Sequence, residues 1–161
     1  MKEAVSSPMK ALVAGSLLKH PSMDVKVSVA SCLCEIMRIT APEAPYSDEE
    51  LKISTGCFPV CCFFFRNLSD KSSRFYDKRV SILDSISKVR SCIIMLDLEC
   101  YDLIVKMFEH FLNAVRDHHH GMAFSLIVNI MDLVLEESED ISPHMLKPFL
   151  KSVKNNNEVW D

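Results

Sequence analysis

Glycine is scarce in this chain, with three residues in 161. That leaves little material for the tight turns of a β-rich fold or for a glycine-lined phosphate loop. Long apolar runs are missing as well. The longest, Cys57 to Phe65, is nine residues, far short of the roughly 20 that a membrane-spanning helix needs. Positive charge is not in surplus: 18 Lys and Arg face 22 Asp and Glu, a formal net charge of −4. Direct nucleic-acid binding, which depends on replacing counterions with basic side chains, has no electrostatic basis here. No Walker, nucleophile-elbow, H-E-x-x-H or EF-hand pattern occurs, and no polar cluster marks an active site. A non-catalytic protein without cofactor or metal is expected.

What the sequence does contain is a globular balance, 48% hydrophobic and 25% charged residues, in a chain long enough to bury one core. Its seven cysteines are scattered through apolar runs, the usage of packed free thiols in a reducing compartment rather than of a disulfide framework. Cys57, Cys61 and Cys62 with His118, His119 and His120 are conceivable zinc ligands, but no paired C-x-x-C or H-x-x-x-H spacing supports them. Pro8 ahead of the apolar stretch Ala11–Leu18, and Lys19-His20 behind it, argue against a secretory leader.

Helical periodicity recurs from end to end. Ser7-Pro8 starts a helix carrying Met9, Leu12, Val13 and Leu17 on one face. After Pro21-Ser22, Asp24 caps a second helix to about Ile39. This one has two apolar stripes: Val25, Val29, Leu33 and Ile36, and Val27, Ala30, Cys34 and Met37. Two stripes imply a helix buried between neighbours. Ser47-Asp48-Glu49-Glu50 reads as a capping box opening a third helix. A fourth spans 73–96 on Ile82, Ile86, Val89 and Ile93, and a fifth 99–116 on Ile104, Met107, Phe111 and Val115. The sixth spans 121–137 on Ala123, Ile127, Ile130 and Val134. A seventh opens at Ser142-Pro143, with Pro148 a candidate kink. About seven helices joined by short loops describe an all-α, HEAT/armadillo-like helical-repeat array in one domain, 1–161; a compact bundle is the competing arrangement.

Between the second and third helices lies Thr40-Ala41-Pro42-Glu43-Ala44-Pro45-Tyr46. Two prolines three apart fix two φ angles and bias Ala41 and Ala44 away from helix, so this is a stiff corner rather than a flexible linker. In a scaffold of stacked helices it is expected to display Tyr46 and the Glu43 carboxylate at a groove edge, to a partner peptide carrying an aromatic and an arginine. An ordinary rigid elbow is the plain alternative. The acidic run Glu136-Glu137-Ser138-Glu139-Asp140 is read as a solvated helix end, with a docking patch for a basic partner as the other reading.

Several stretches resemble a known family. Leu18-Lys19-His20-Pro21, Asp24 through Cys32, and Ile36-Met37-Arg38-Ile39-Thr40-Ala41-Pro42-Glu43-Ala44-Pro45-Tyr46 are similar to the N-terminal region of the sister chromatid cohesion protein Pds-five (precocious dissociation of sisters). Val89–Cys92, Met95–Cys100 and Leu135–Asp140 look like its plant branch. The resemblance implies a nuclear HEAT-repeat scaffold without catalytic activity, which associates with cohesin through its kleisin subunit. It also implies that Ala41, Pro42, Glu43, Ala44, Pro45 and Tyr46 form a partner-binding loop. Short motifs of cohesin regulators such as the wings-apart-like release factor dock on that loop in the family.

Two departures stand against full family function. Family members are far longer, so a truncated fragment without cohesin binding is the first alternative; an unrelated small helical enzyme or metal-binding protein is the second. Residues 53–65 are atypical, since Gly56 and Pro59 break the helix that the family carries there, at about 1 and 3 kcal/mol if helix were forced.

Overall fold

The computed structural model describes residues 8–41, 46–47, 65, 68, 70–115 and 121–157. The described residues form helices joined by turns and short irregular connections, with no strand among them. Residues 8–12 form a helical turn, followed by α1 (Gly15–Leu18), α2 (Met23–Thr40), α3 (Tyr76–Val89), α4 (Ile94–Asp97), α5 (Tyr101–Val115), α6 (Met122–Glu136) and α7 (Pro143–Asn157). Successive layers lean on one another: α1 on α2, α2 on α3, α3 on α6, α6 on α5 and α5 on α7. The third expected helix, the glycine–proline interruption, the histidine triplet and Cys57, Cys61 and Cys62 lie outside the described residues.

Three expectations for helix boundaries are corrected. The first helix is broken at Ala14, whose ψ of 134° interrupts it before Gly15; a Gly-Ser pair is a favoured place for a sharp bend. Met9, Leu12, Val13 and Leu17 still pack on one hydrophobic cluster, so the apolar pattern survives the break. Second, Ser22 and not Asp24 is the N-cap residue of α2; its amide donates to His20 Nδ1 at 3.1 Å. Asp24, inside the first turn, suits the helix dipole and pairs with Arg74 at 2.8 Å.

The third correction concerns the long fourth helix. It divides at Arg90, which takes the left-handed conformation (φ 58°, ψ 26°), so that Cys92 and Met95 of the next turn point inward, fully buried. α4 then closes with a Schellman cap. The Cys100 amide donates to the Met95 carbonyl at 2.8 Å, and the Glu99 amide to Leu96 at 2.8 Å. Glu99 sits at φ 56°, where glycine is usual. α7 runs through Pro148, whose ring is buried.

The principal core is built by α3, α5 and α6, with one face of α2 and the inner face of α7. Ile104, Met107, Phe108, Phe111, Ile130 and Val134 are all fully buried in it. Phe111 packs against Phe65 with the rings tilted by 52° (centroids 4.8 Å) and Phe108 meets Phe149 of α7 edge-on at 5.4 Å. The two stripes expected on α2 part as their spacing requires. Val27, Ala30 and Cys34 enter this core, while Val29, Leu33 and Ile36 enter a second, smaller cluster. Cys34 and Cys92 are buried free thiols, Cys100 is half-buried and Cys32 exposed.

Candidate functional site

The second cluster takes in Tyr46, the far end of the proline corner. α2 ends because Ala41, forced toward extended backbone by the following proline, adopts φ −52° and ψ 138° while its amide still donates to Met37 at 3.0 Å. Thr40 Oγ1 donates back to the Ile36 carbonyl at 2.9 Å, a second bond to a carbonyl of the last turn that fixes the threonine side chain against its own helix. The chain therefore leaves α2 on a defined heading, with Ala41 exposed. Pro42, Glu43, Ala44 and Pro45 lie outside the described residues.

The chain returns to the body at Tyr46, and here the expectation of a displayed tyrosine is corrected. Tyr46 is only 7% exposed and packs with Leu18, Val29, Leu33, Ile36 and Leu98. Its hydroxyl donates to the Met9 carbonyl at 3.5 Å. A tyrosine suits this place because the ring buries apolar area while the hydroxyl keeps a polar partner. The six residues singled out from the sequence thus divide into two structural roles among those described: Ala41 on the surface, Tyr46 as an anchor that ties the far end of the corner to residues 8–18. Leu98, presented by the Schellman cap of α4, fills the same cluster from below.

The last turn of α2 adds surface that the sequence reading passed over. Ile39 is 63% exposed, immediately before the corner. Arg38 donates to Glu35 at 2.9 Å on the open side of the helix. In the periodic pattern Ile39 reads as one more core residue, since it follows Ile36 by three, yet it lies on the open side of the last turn. The site is therefore an apolar and small-residue ledge with one exposed ion pair beside it. Among the described residues no cluster of three metal-ligating side chains occurs.

The acidic run after α6 is drawn into its own surroundings. Glu137 pairs with Arg90 at 3.0 Å, and Ser138 Oγ donates back to the Val134 carbonyl at 2.6 Å. This is the solvated helix end expected from sequence, with its charge partly balanced by the left-handed Arg90.

Comparison with known proteins places this geometry. The family model for the sister chromatid cohesion protein PDS5 matches residues 1–159. The chain is 55% identical over 159 residues to sister chromatid cohesion protein PDS5 homolog C of Arabidopsis thaliana, covering 99% of this chain and 18% of that protein. It is 46% identical over 158 residues to homolog D of the same plant, and 30% identical over 141 residues to homolog B-B of Xenopus laevis, 9% of whose length it covers. A solved structure described as the Pds5-Scc1 complex, with implications for cohesin function, superposes with a TM-score of 0.78 at 25% identity; the match covers 91% of this chain and 22% of that one. The chain belongs to the sister chromatid cohesion protein PDS5 family, and spans less than a fifth of the plant homolog C it resembles.

Proposed function

We propose that this chain is a non-catalytic scaffold module of the cohesin-regulatory machinery, acting in the nucleus, and that the corner Ala41–Tyr46 is where short motifs of cohesin regulators bind. The observation that carries the reading is the way the corner is held. It leaves α2 at a hydrogen-bonded, proline-directed end and is pinned at Tyr46 in a cluster built from residues 8–18, α2 and Leu98. A loop fixed at both ends loses little conformational freedom when it meets a ligand, so more of the contact energy appears as affinity.

The partners are the cohesin complex through its kleisin subunit and the wings-apart-like release factor or similar motif-bearing proteins. The solved relative in complex with Scc1 supports the first. For the second, Glu43 supplies a carboxylate to an arginine of the motif, and Ala41, Ala44 and the exposed Ile39 supply small and apolar surface to an aromatic side chain. Tyr46 acts from beneath, holding the corner and not contacting the partner. Neither nucleic acid nor membrane is a direct ligand of this module.

The test is a titration of the purified chain with peptides from the wings-apart-like factor, followed by fluorescence anisotropy. Saturable binding that Glu43→Lys weakens by about tenfold or more, with helicity unchanged, is the expected result. Equal affinity in the wild-type and Glu43→Lys chains would remove the corner from the binding surface.

A further inference from the structure

The capping-box serine at the far end of the corner carries a second pattern. Ser47 is followed by Asp48, Glu49 and Glu50, and no other serine or threonine of the chain precedes three acidic residues. Kinases choose substrates largely by charge pattern, and carboxylates just after the target hydroxyl suit a kinase with a basic substrate groove. Four residues alone are a weak signal, so the place of the hydroxyl in the fold decides.

Ser47 is exposed and lies outside the described helices. The next most acidic context, Ser138-Glu139-Asp140, is closed off: Ser138 is half-buried and its hydroxyl donates to the Val134 carbonyl at 2.6 Å. Kinases take their substrates as extended segments, and Ser81, with Asp84 three residues on, is locked inside α3. Accessibility therefore selects the same serine as the charge pattern. The preceding residue also fixes its position. Tyr46 is 7% exposed, packs in the second cluster and donates to the Met9 carbonyl at 3.5 Å, so a group on Ser47 is held at the end of the corner.

We propose that Ser47 is a phosphorylation site for an acid-directed serine kinase, and that its phosphate raises the affinity of the corner for arginine-bearing segments. The Ser47 hydroxyl oxygen takes the γ-phosphoryl group of ATP. The bond from that phosphorus to the departing ADP oxygen breaks, and the hydroxyl proton passes to the kinase's catalytic carboxylate. The product carries a charge of about −1.5 to −2 at neutral pH and three strong acceptor oxygens. Ser47 follows Glu43 by four residues, a span of at most about 14 Å, so two anionic groups then flank Tyr46 in the chain. An arginine and a second basic side chain of one partner segment can be met together. The capping role expected of Ser47 tolerates the change, because phosphate oxygens accept amide hydrogens at a helix N-terminus as a hydroxyl does. The affinity effect rests on the corner being a binding loop; the modification itself does not.

The whole chain is incubated with casein kinase II, an acid-directed enzyme, and magnesium ATP, and the phosphate is located by mass spectrometry. Phosphate at Ser47 is expected, absent in Ser47→Ala and formed about tenfold more slowly when Asp48→Asn, Glu49→Gln and Glu50→Gln are combined, with helicity followed by circular dichroism. Both forms of the chain are then titrated with the wings-apart-like peptide. The phosphorylated form is expected to bind several-fold more tightly, with an advantage that shrinks as salt is raised. Phosphate placed elsewhere, or placed on Ser47 at the same rate without the acidic residues, would overturn the site. Equal or weaker binding by the phosphorylated form, while Glu43→Lys still weakens the unmodified one, would overturn the regulation and leave the corner as the binding loop. Binding by neither form would remove the corner itself, and the regulation with it.

Discussion

α2 separates two hydrophobic regions that are made of the same residue types and behave differently. On one side, Val27, Ala30 and Cys34 join a thick core in which whole faces of α3, α5 and α6 are sealed from water. On the other, Val29, Leu33 and Ile36 join a smaller pad, whose further members among the described residues come from the short pieces around residues 8–18, from Tyr46 and from Leu98. Phe111 in the core is fully buried, while every member of the pad keeps a trace of exposure. The core carries the stability of the array. In the proposed reading the smaller pad positions a loop, and binding elements are commonly found in regions of lower local stability.

The contrast is tested most severely by truncation. Phe111→Ala removes a ring packed at a tilt on Phe65 in the sealed core and is expected to cost about 3–5 kcal/mol, enough to leave much of the chain unfolded in a denaturant titration. A second test of the sealed core uses its thiol. Cys92 is fully buried, and desolvation pushes its pKa up to about 11 from an ordinary value of 9.0. Because the folded pKa is the higher, the neutral thiol's contribution is fully present below pH 9 and is lost as pH rises from 9 toward 11. The loss amounts to about 2 kcal/mol near pH 10.5. Chemical denaturation across that window should show the slope in the wild type and a shallower one in Cys92→Ala.

Tyr46→Ala attacks the pad. With its thinner surroundings the expected cost is about 1–2 kcal/mol. Hydrogen exchange should locate the damage: amides of residues 8–18 and the last turn of α2 exchange faster, while those of α5 and α6 keep their protection. Equal loss across all helices would show that the two regions are one cooperative unit. A gain is expected at the cap that presents Leu98 to the pad. Glu99 holds φ 56° without the freedom of glycine, so Glu99→Gly should stabilise by about 0.5–1 kcal/mol in thermal melts. The smallest effect belongs to the surface pair Arg90–Glu137, both side chains about half exposed. Glu137→Gln should change stability by less than about 0.5 kcal/mol.

Much of this arrangement was legible in the sequence, for reasons that particular residues make plain. The two stripes of α2 were readable because their spacing fixes directions around a helix, and burial then leaves each stripe only one side to face. The corner was readable because proline acts locally: Pro42 dictates the backbone of Ala41 whatever the rest of the fold does. What was missed depended on distant contacts. Nothing near Tyr46 says that a pad assembled from residues 8–18 and Leu98 will swallow its ring. Arg90 carries no glycine-like signal that a long helix will divide there, and the break follows from the burial that Cys92 and Met95 gain. On α7, spacing alone does not tell the buried Met145 and Phe149 from the exposed Leu146, Leu150 and Val153, and only the packing of the helix on α5 decides which side meets the core.

The central claim is that the pad positions the corner for binding. It is tested most directly by titrating a wings-apart-like peptide against two variants matched in stability loss, Leu33→Ala in the pad and Val134→Ala in the sealed core, under conditions where both stay folded. Affinity reduced several-fold by Leu33→Ala and unchanged by Val134→Ala is the predicted result. Equal affinities for the two variants would contradict it, leaving the pad as one more piece of the core with no hold on the site.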